Sequence, residues 1–240
     1  MTSAPVVGPR DRRAISETLR RGNAVALPGV GGYLVATLAL SQRSGAATGS
    51  GGAPSFGDHI AGLVESVVSG GAGTLLVATD RQASSVSAEW SVLTRRLTTR
   101  VWPGPVEVVV HASPVSCPPV AIEADGSVRL RVEGRRPLRR VVAEVGMLIC
   151  STLRGPTGQT VTQVAEAAAT LGQAVALVVD GGPCTGAGPT VVDCRGDVPV
   201  VISEGRLPAE FVTAALAMSA RERPSVLAIG SRLRRTKAGC

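Results

Sequence analysis

Short, valine-rich apolar runs recur along this chain, and they constrain its fold more than any other feature. They fall at residues 23–28 (NAVALP), 74–79 (TLLVAT), 105–111 (PVEVVVH), 128–132 (VRLRV), 147–151 (MLICS), 174–179 (AVALVV), 190–193 (TVVD) and 198–202 (VPVVI). Branched side chains suit a pleated surface, and strands buried on both faces belong to a partly parallel sheet. The only aromatics are Tyr33, Phe56, Trp90, Trp102 and Phe211. The core must therefore be built from Val, Leu, Ala and Ile.

Helical patterns lie between these runs, at 11–21, 58–69, 84–98, 138–145, 160–171 and 208–220. Asp11 is placed to cap the first, with Ile15 and Leu19 as its apolar stripe. Arg95 and Arg96 suit a helix C-terminus, and Pro208 suits a start. Residues 120–123 read as a further strand, and 34–40 and 225–229 are apolar stretches. Strands and helices alternate irregularly, which predicts one mixed α/β domain rather than a βαβ repeat. That domain spans 10–230, after a flexible N-terminus at 1–9. Residues 42–57 form a mobile Gly/Ser-rich loop, and 231–240 a basic tail.

The net charge is +7, carried almost wholly by arginine, and Lys237 is the only lysine. This charge admits an anionic partner. With so few aromatics, an RNA contact would be weak and made to the backbone, without stacking. Five cysteines with no C-x-x-C spacing predict neither a disulfide frame nor structural zinc. His59 and His111 lie in different segments, so no metal site is expected. No window approaches the ~20 apolar residues of a membrane span, and no signal-peptide pattern opens the chain. A reducing, cytoplasmic setting is expected.

Generic catalytic motifs give little, and no catalytic residue is assigned from them. Gly29, Gly31 and Gly32 follow a strand, but neither Rossmann nor P-loop spacing is met, so a tight turn is expected. Neither histidine sits in a hydrolase context. Cys150 ends an apolar strand and reads as a small buried hydrophobe. Asp180-Gly181-Gly182 closes a strand as a turn, with a ligand or Mg²⁺ contact as the minor reading.

Several segments, in order, resemble the YrdC family, which makes threonylcarbamoyl-AMP. Pro28-Gly29-Val30-Gly31-Gly32-Tyr33-Leu34-Val35 lies where the family has P-T-x-T-x-Y-G-L. Trp102-Pro103-Gly104-Pro105-Val106 matches W-P-G-P-x. Val128-Arg129-Leu130-Arg131-Val132 resembles its V-R-x-P strand, and residues 151–158 (STLRGPTG) stand where S-T-S-A-N-x-S-G is expected. Asp180-Gly181-Gly182 and Pro189-Thr190-Val191-Val192-Asp193 resemble D-G-G and S-T-V-V-D. The resemblance covers roughly 12–208. It implies an α/β fold with a single open, twisted mixed sheet, flanking helices and a concave central face.

The departures fall on letters that bind substrate in the family. Its lysine and arginine would align with Ser66 and Val68, and a later basic position with Ala72. Gly29 and Gly31 replace threonines, Leu153 and Gly155 replace the serine and asparagine of S-A-N, Pro189 replaces a serine, and Ser203 an arginine. The letters retained are Tyr33, Arg131, Ser151, Thr152, Thr190 and Asp193, which are the candidate ligand-binding residues. Arg131 is also placed to pair with a carboxylate in a buried ladder, and Tyr33 to fill its turn.

A triphosphate carries about four negative charges, and removing one group that stabilises developing charge costs about 10²–10³ in rate. The primary expectation is a repurposed YrdC-like protein with no certain cofactor. It would be an accessory subunit beside a second protein, or a specialised-metabolism enzyme acting on an amino-acid-like small molecule. One alternative is an active L-threonylcarbamoyladenylate synthase using ATP, Mg²⁺, threonine and bicarbonate in tRNA modification, with Arg43, Arg135 or Arg154 standing in for lost cations. The other is a basic RNA-binding module. No membrane partner is expected.

Overall fold

The computed structural model describes residues 4–39 and 73–217. The loop at 42–57, the helix at 58–69, the stretch at 225–229, the tail, Lys237, Arg43, Ser66, Val68 and Ala72 lie outside the described residues.

The valine-rich runs do form strands. In chain order they are β1 (Val6–Val7), β2 (Val25–Pro28), β3 (Tyr33–Leu38), β4 (Thr74–Val77), β5 (Val106–His111), β6 (Ser127–Val132), β7 (Leu148–Thr152), β8 (Leu177–Val179), β9 (Thr190–Asp193) and β10 (Val200–Ser203). Among the described residues they make one mixed sheet in the order β1-β8-β2-β3-β7-β4-β6-β5-β9-β10. Pairings β1·β8, β2·β8, β4·β6 and β5·β9 are parallel, and the others are antiparallel. Val6 and Val7 lie in the segment read from sequence as a flexible N-terminus, yet they pair with Val178 and Val179.

Six helices flank the sheet among the described residues: α1 (Arg12–Arg20), α2 (Asp80–Ser85), α3 (Val92–Val101), α4 (Arg136–Val145), α5 (Val164–Leu171) and α6 (Ala209–Ala217). Asp11 caps α1 by accepting from Ala14 N at 3.4 Å. The helix expected over 84–98 is instead two. Ser87 bridges to Ala112, and Ala88 N donates to His111 O, so the chain leaves the helix to meet the end of β5. Ser91 then caps a new helix by accepting from Thr94 N at 3.0 Å. The strand expected over 120–123 is also absent. Pro118 and Pro119 open a 3₁₀ turn at Pro119–Ala121 there, since proline lacks the donor that a ladder needs.

Alternation along β3 divides the core. Leu34, Ala36 and Leu38 pack with Ile15 and Leu19 of α1 and Leu138, Val141 and Val142 of α4. Tyr33 and Val35 pack with Leu153, Val161 and Ala167. The third and largest cluster joins Val106, Val108, Val110, Val128, Leu130 and Val132 to Leu97, Val101, Val212 and Ala215. Each fully buried Val or Leu contributes roughly 1.5–3 kcal/mol by leaving water, so aliphatic side chains carry most of the core, with Tyr33 as a fully buried aromatic in the second cluster.

The W-P-G-P segment is a structural corner between α3 and β5. The Trp102–Pro103 peptide is cis. Trp102 Nε1 donates to Val106 O at 2.7 Å, and Gly104 N donates to Val132 O at 3.2 Å. A Cβ at Gly104 would collide with Val101 O.

Candidate functional site

The turn after β2 is assembled from glycines because three chain segments converge on it. Gly31 has φ +72°, and a Cβ there would lie 2.7 Å from the backbone of Ala187 and Gly188. A Cβ on Gly32 would overlap Thr160, and one on Gly29 would meet Leu34. The segment after β8 is thus held against the turn, and the segment after β7 closes it from the other side. Tyr33 N donates to Val161 O at 2.8 Å, and Leu153 N to Tyr33 O at 2.8 Å.

Tyr33 fills this junction. It is fully buried, and its hydroxyl is 3.5 Å from Gly182 O, the acceptor. Burial pushes its phenol up to about 12, so it stays neutral and donates. Ser151 and Thr152, opposite Val35 and Leu34, are half-buried on the adjacent strand. These three candidates share the end where β3 and β7 meet.

Arg131 lies on β6, next to Leu76 of β4. It is only 1 % exposed. Its Nη1 donates to Glu107 Oε1 at 2.9 Å, and Nη2 stands 3.7 Å from Glu133 Oε2. The expected carboxylate ladder therefore exists, with a partner on β5 and another just past β6. Burial lowers the pKa of the guanidinium, but the two carboxylates outweigh it and raise its pKa above the ordinary value. Glu133 also accepts from Arg135 N at 2.8 Å.

Arg135 continues the polar chain toward the glycine turn. Its Nη1 donates to Gly181 O at 2.9 Å, and Nη2 is 3.7 Å from Cys184 Sγ. Asp180 Oδ1 accepts from Gly182 N at 2.9 Å, which makes Asp180-Gly181-Gly182 a self-bonded turn. Arg154, the other described stand-in for a lost cation, donates to Thr160 Oγ1 at 2.8 Å on the exposed side.

Thr190 and Asp193 lie on β9, and Thr190 comes two residues after Gly188, whose backbone a Cβ on Gly31 would meet. Thr190 is fully buried, and its hydroxyl donates to Leu207 O at 2.6 Å while accepting from Leu207 N and Gly205 N. Asp193 binds Arg195 at 2.7 Å, and Arg195 also reaches Asp125 at 2.6 Å. The Arg195 hydrogen bonds hold the Asp193 carboxyl below its usual range.

Burial pushes the Cys150 thiol up to about 12, and its Sγ donates to Thr74 O. It therefore behaves as the small hydrophobe its position suggests. Sequence reasoning assigned no role to Glu107, Glu133 or Cys184. Glu107 follows Val106 in an alternating strand, a pattern that ordinarily marks an outward side chain. Only the register of β5 against β6 turns it toward Arg131.

The family model for Sua5, YciO and YrdC, described as telomere recombination, matches residues 74–205. No curated protein sequence matches the chain. Among solved structures, a doubly substituted P. abyssi Sua5 superposes with TM-score 0.73 at 20 % identity, over 88 % of this chain and 63 % of that one. P. abyssi Sua5 complexed with L-threonine gives TM-score 0.73 at 18 % identity, over 89 % and 61 %. E. coli YciO gives TM-score 0.70 at 18 % identity, over 87 % and 98 %. The chain thus spans less than two thirds of the Sua5 chains and nearly all of YciO. At these identities the superpositions carry the fold, a single twisted mixed sheet with flanking helices. With more than half of its length matched by the family model, the chain belongs to the Sua5/YciO/YrdC family.

Proposed function

We propose that this protein uses the family scaffold without ATP-dependent chemistry, as an accessory subunit that stabilises or completes a partner enzyme. The observation that carries this reading is the pairing of Arg131 with Glu107 and Glu133. An arginine that answers two buried carboxylates has no surplus charge to offer a phosphate. A triphosphate brought beside it would add about four negative charges to a locus already holding two against one. The described residues do not fit ATP and Mg²⁺, and no step is derived through them. Thr190 and Asp193 point the same way, since their side chains are spent on neighbouring backbone and on Arg195. The free, buried cysteines Cys117, Cys150, Cys184 and Cys194 suit a reducing cytoplasm.

Supplying the protein with ATP, Mg²⁺, bicarbonate and threonine and reading threonylcarbamoyl-AMP by mass spectrometry tests the proposal. No product from folded protein is expected, together with a stable partner on co-purification. Product at an ordinary enzymatic rate would establish the synthase instead.

A second reading has one observation in its favour. The P. abyssi structure of the same fold is complexed with L-threonine, and Tyr33, Ser151 and Thr152 are grouped at one junction here. An amino-acid-like small molecule is the ligand this reading assigns to that junction. Saturable threonine binding in the absence of ATP would favour it over the subunit role.

A further inference from the structure

The sheet ends on β10, whose outer edge has no partner strand among the described residues. Val201 packs against the largest core cluster, while Val198, Val200 and Ile202 are 62, 57 and 52 % exposed. An open edge carrying apolar side chains is a template for another strand. Carboxylates bracket this one. Asp197 precedes β10 and Glu204 follows it, both exposed and without an ion pair among the described residues.

The sequence past α6 carries the complement. Residues 225–229 (SVLAI) are an apolar run of ordinary strand length. Arg221 and Arg223 precede the run, Arg232, Arg234 and Arg235 follow it, and Glu222 is the only acid from 218 to 240. An apolar run with arginines on both sides thus matches an apolar edge with carboxylates at both ends.

The course of α6 brings the run within reach of that edge. Leu207 is held at Thr190, so α6 sets out from the end of the sheet where β9 begins. By Leu216 it has reached the middle of α3, where Arg96 Nη1 donates to Leu216 O at 3.3 Å. α3 lies antiparallel to β5, since Ala88 before it bonds His111 and Trp102 after it bonds Val106. α6 therefore heads for the end of the sheet where β10 begins. Residues 218–224 can span roughly 25 Å when extended, several times the ~4.8 Å between neighbouring strands.

A strand that returns from there runs parallel to β10, and handedness selects its side. β1 and β2 are both parallel to β8, and α1 joins them across one face of the sheet, a crossover directed inward. β10 runs opposite to β1, and α6 packs on the opposite face. The two reversals cancel. A right-handed crossover from β10 therefore moves the same way along the strand order, which there is outward, onto the open edge.

We propose that residues 225–229 pair in parallel with β10 as a further strand of the same molecule, with the flanking arginines beside Asp197 and Glu204. This docking is independent of the roles assigned to Arg131 and to a partner enzyme. Amide hydrogen exchange of the full chain tests it, resolved by NMR at a concentration where light scattering finds a monomer. Amides at 226–229, and those of β10 turned away from β9, should exchange at least ~10-fold slower than open chain. Leu227→Glu with Ile229→Glu should abolish this protection at both places. The β5 and β6 amides should stay protected in that variant, which shows it folded. Leu233→Glu, outside the run, should change neither. Arg223→Ser with Arg232→Ser should lower the protection about 2–5-fold, as for two exposed ion pairs. Unprotected amides at 226–229, or β10 protection that survives Leu227→Glu with Ile229→Glu, overturns the proposal. So does protection that appears only as the chain dimerises, which would give the edge to a second copy.

Discussion

Arg131 Nη1 and Glu107 Oε1 lie 2.9 Å apart between β6 and β5, one position beyond the paired residues Leu130 and Val108. Both side chains are buried. Taking two charges out of water costs several kcal/mol per ion, which their attraction offsets only while both remain. Glu107→Ala should therefore cost about 3 kcal/mol, because it leaves the buried guanidinium only the longer contact to Glu133 at 3.7 Å. Glu107→Val combined with Arg131→Met should cost less than the two single changes summed, since it removes both members of the pair. Urea denaturation of Glu107→Val, Arg131→Met and the double variant checks this. Additive losses would show that the pair is not coupled.

Thr190 joins β9 to the segment at 205–207 with one hydroxyl. Thr190→Val keeps the shape and orphans Gly205 N, Leu207 N and Leu207 O. Leaving such groups buried and unsatisfied costs about 1–3 kcal/mol. Thr190→Ser should recover most of that loss in a thermal melt. If Thr190→Val were neutral, the hydroxyl would not serve the fold.

The strands were legible in the sequence because β-branched runs bounded by Gly and Pro have few alternatives to a sheet. The N-cap at Asp11 was legible for a similar local reason. The break between α2 and α3 was not, since helical periodicity runs through 84–98 and only the pairing of Ser87 with Ala112 interrupts it. At the candidate site, Arg131 was legible as a residue needing a carboxylate. Glu107 was not, because its identity as the partner depends on which strand lies beside β6. Arg135 was named as a stand-in cation, but its grip on Gly181 O depends on the fold bringing residues 46 positions apart together.

The glycine turn should tolerate no side chain at its centre. Gly31→Ala forces a left-handed backbone, at about 1–2 kcal/mol, and drives a methyl into Ala187 and Gly188. A loss of at least about 2 kcal/mol in chemical denaturation is expected. Gly8→Ala, with no atom within 4 Å of the added carbon, serves as the neutral comparison.

Acid should weaken the far end of β9. Hydrogen bonds from Ser127, backed by Arg195, hold Asp125 down to about 2, and Arg195 lowers Asp193. Both carboxyls are depressed on folding, so their contribution is present above the unfolded carboxyl pKa of about 3.9 and is lost as pH falls through the folded values. Arg195→Ala should flatten the decline in stability between about pH 4 and pH 2. An unchanged acid limb in that variant would mean that the bridge contributes nothing.

The central claim, that Arg131 is neutralised from within, is tested most directly by isothermal titration with ATP and Mg²⁺ at millimolar nucleotide. The account predicts no saturable binding tighter than about 1 mM, equivalent to roughly −4 kcal/mol. A micromolar dissociation constant that disappears in Arg131→Met, with that variant still folded, would contradict it.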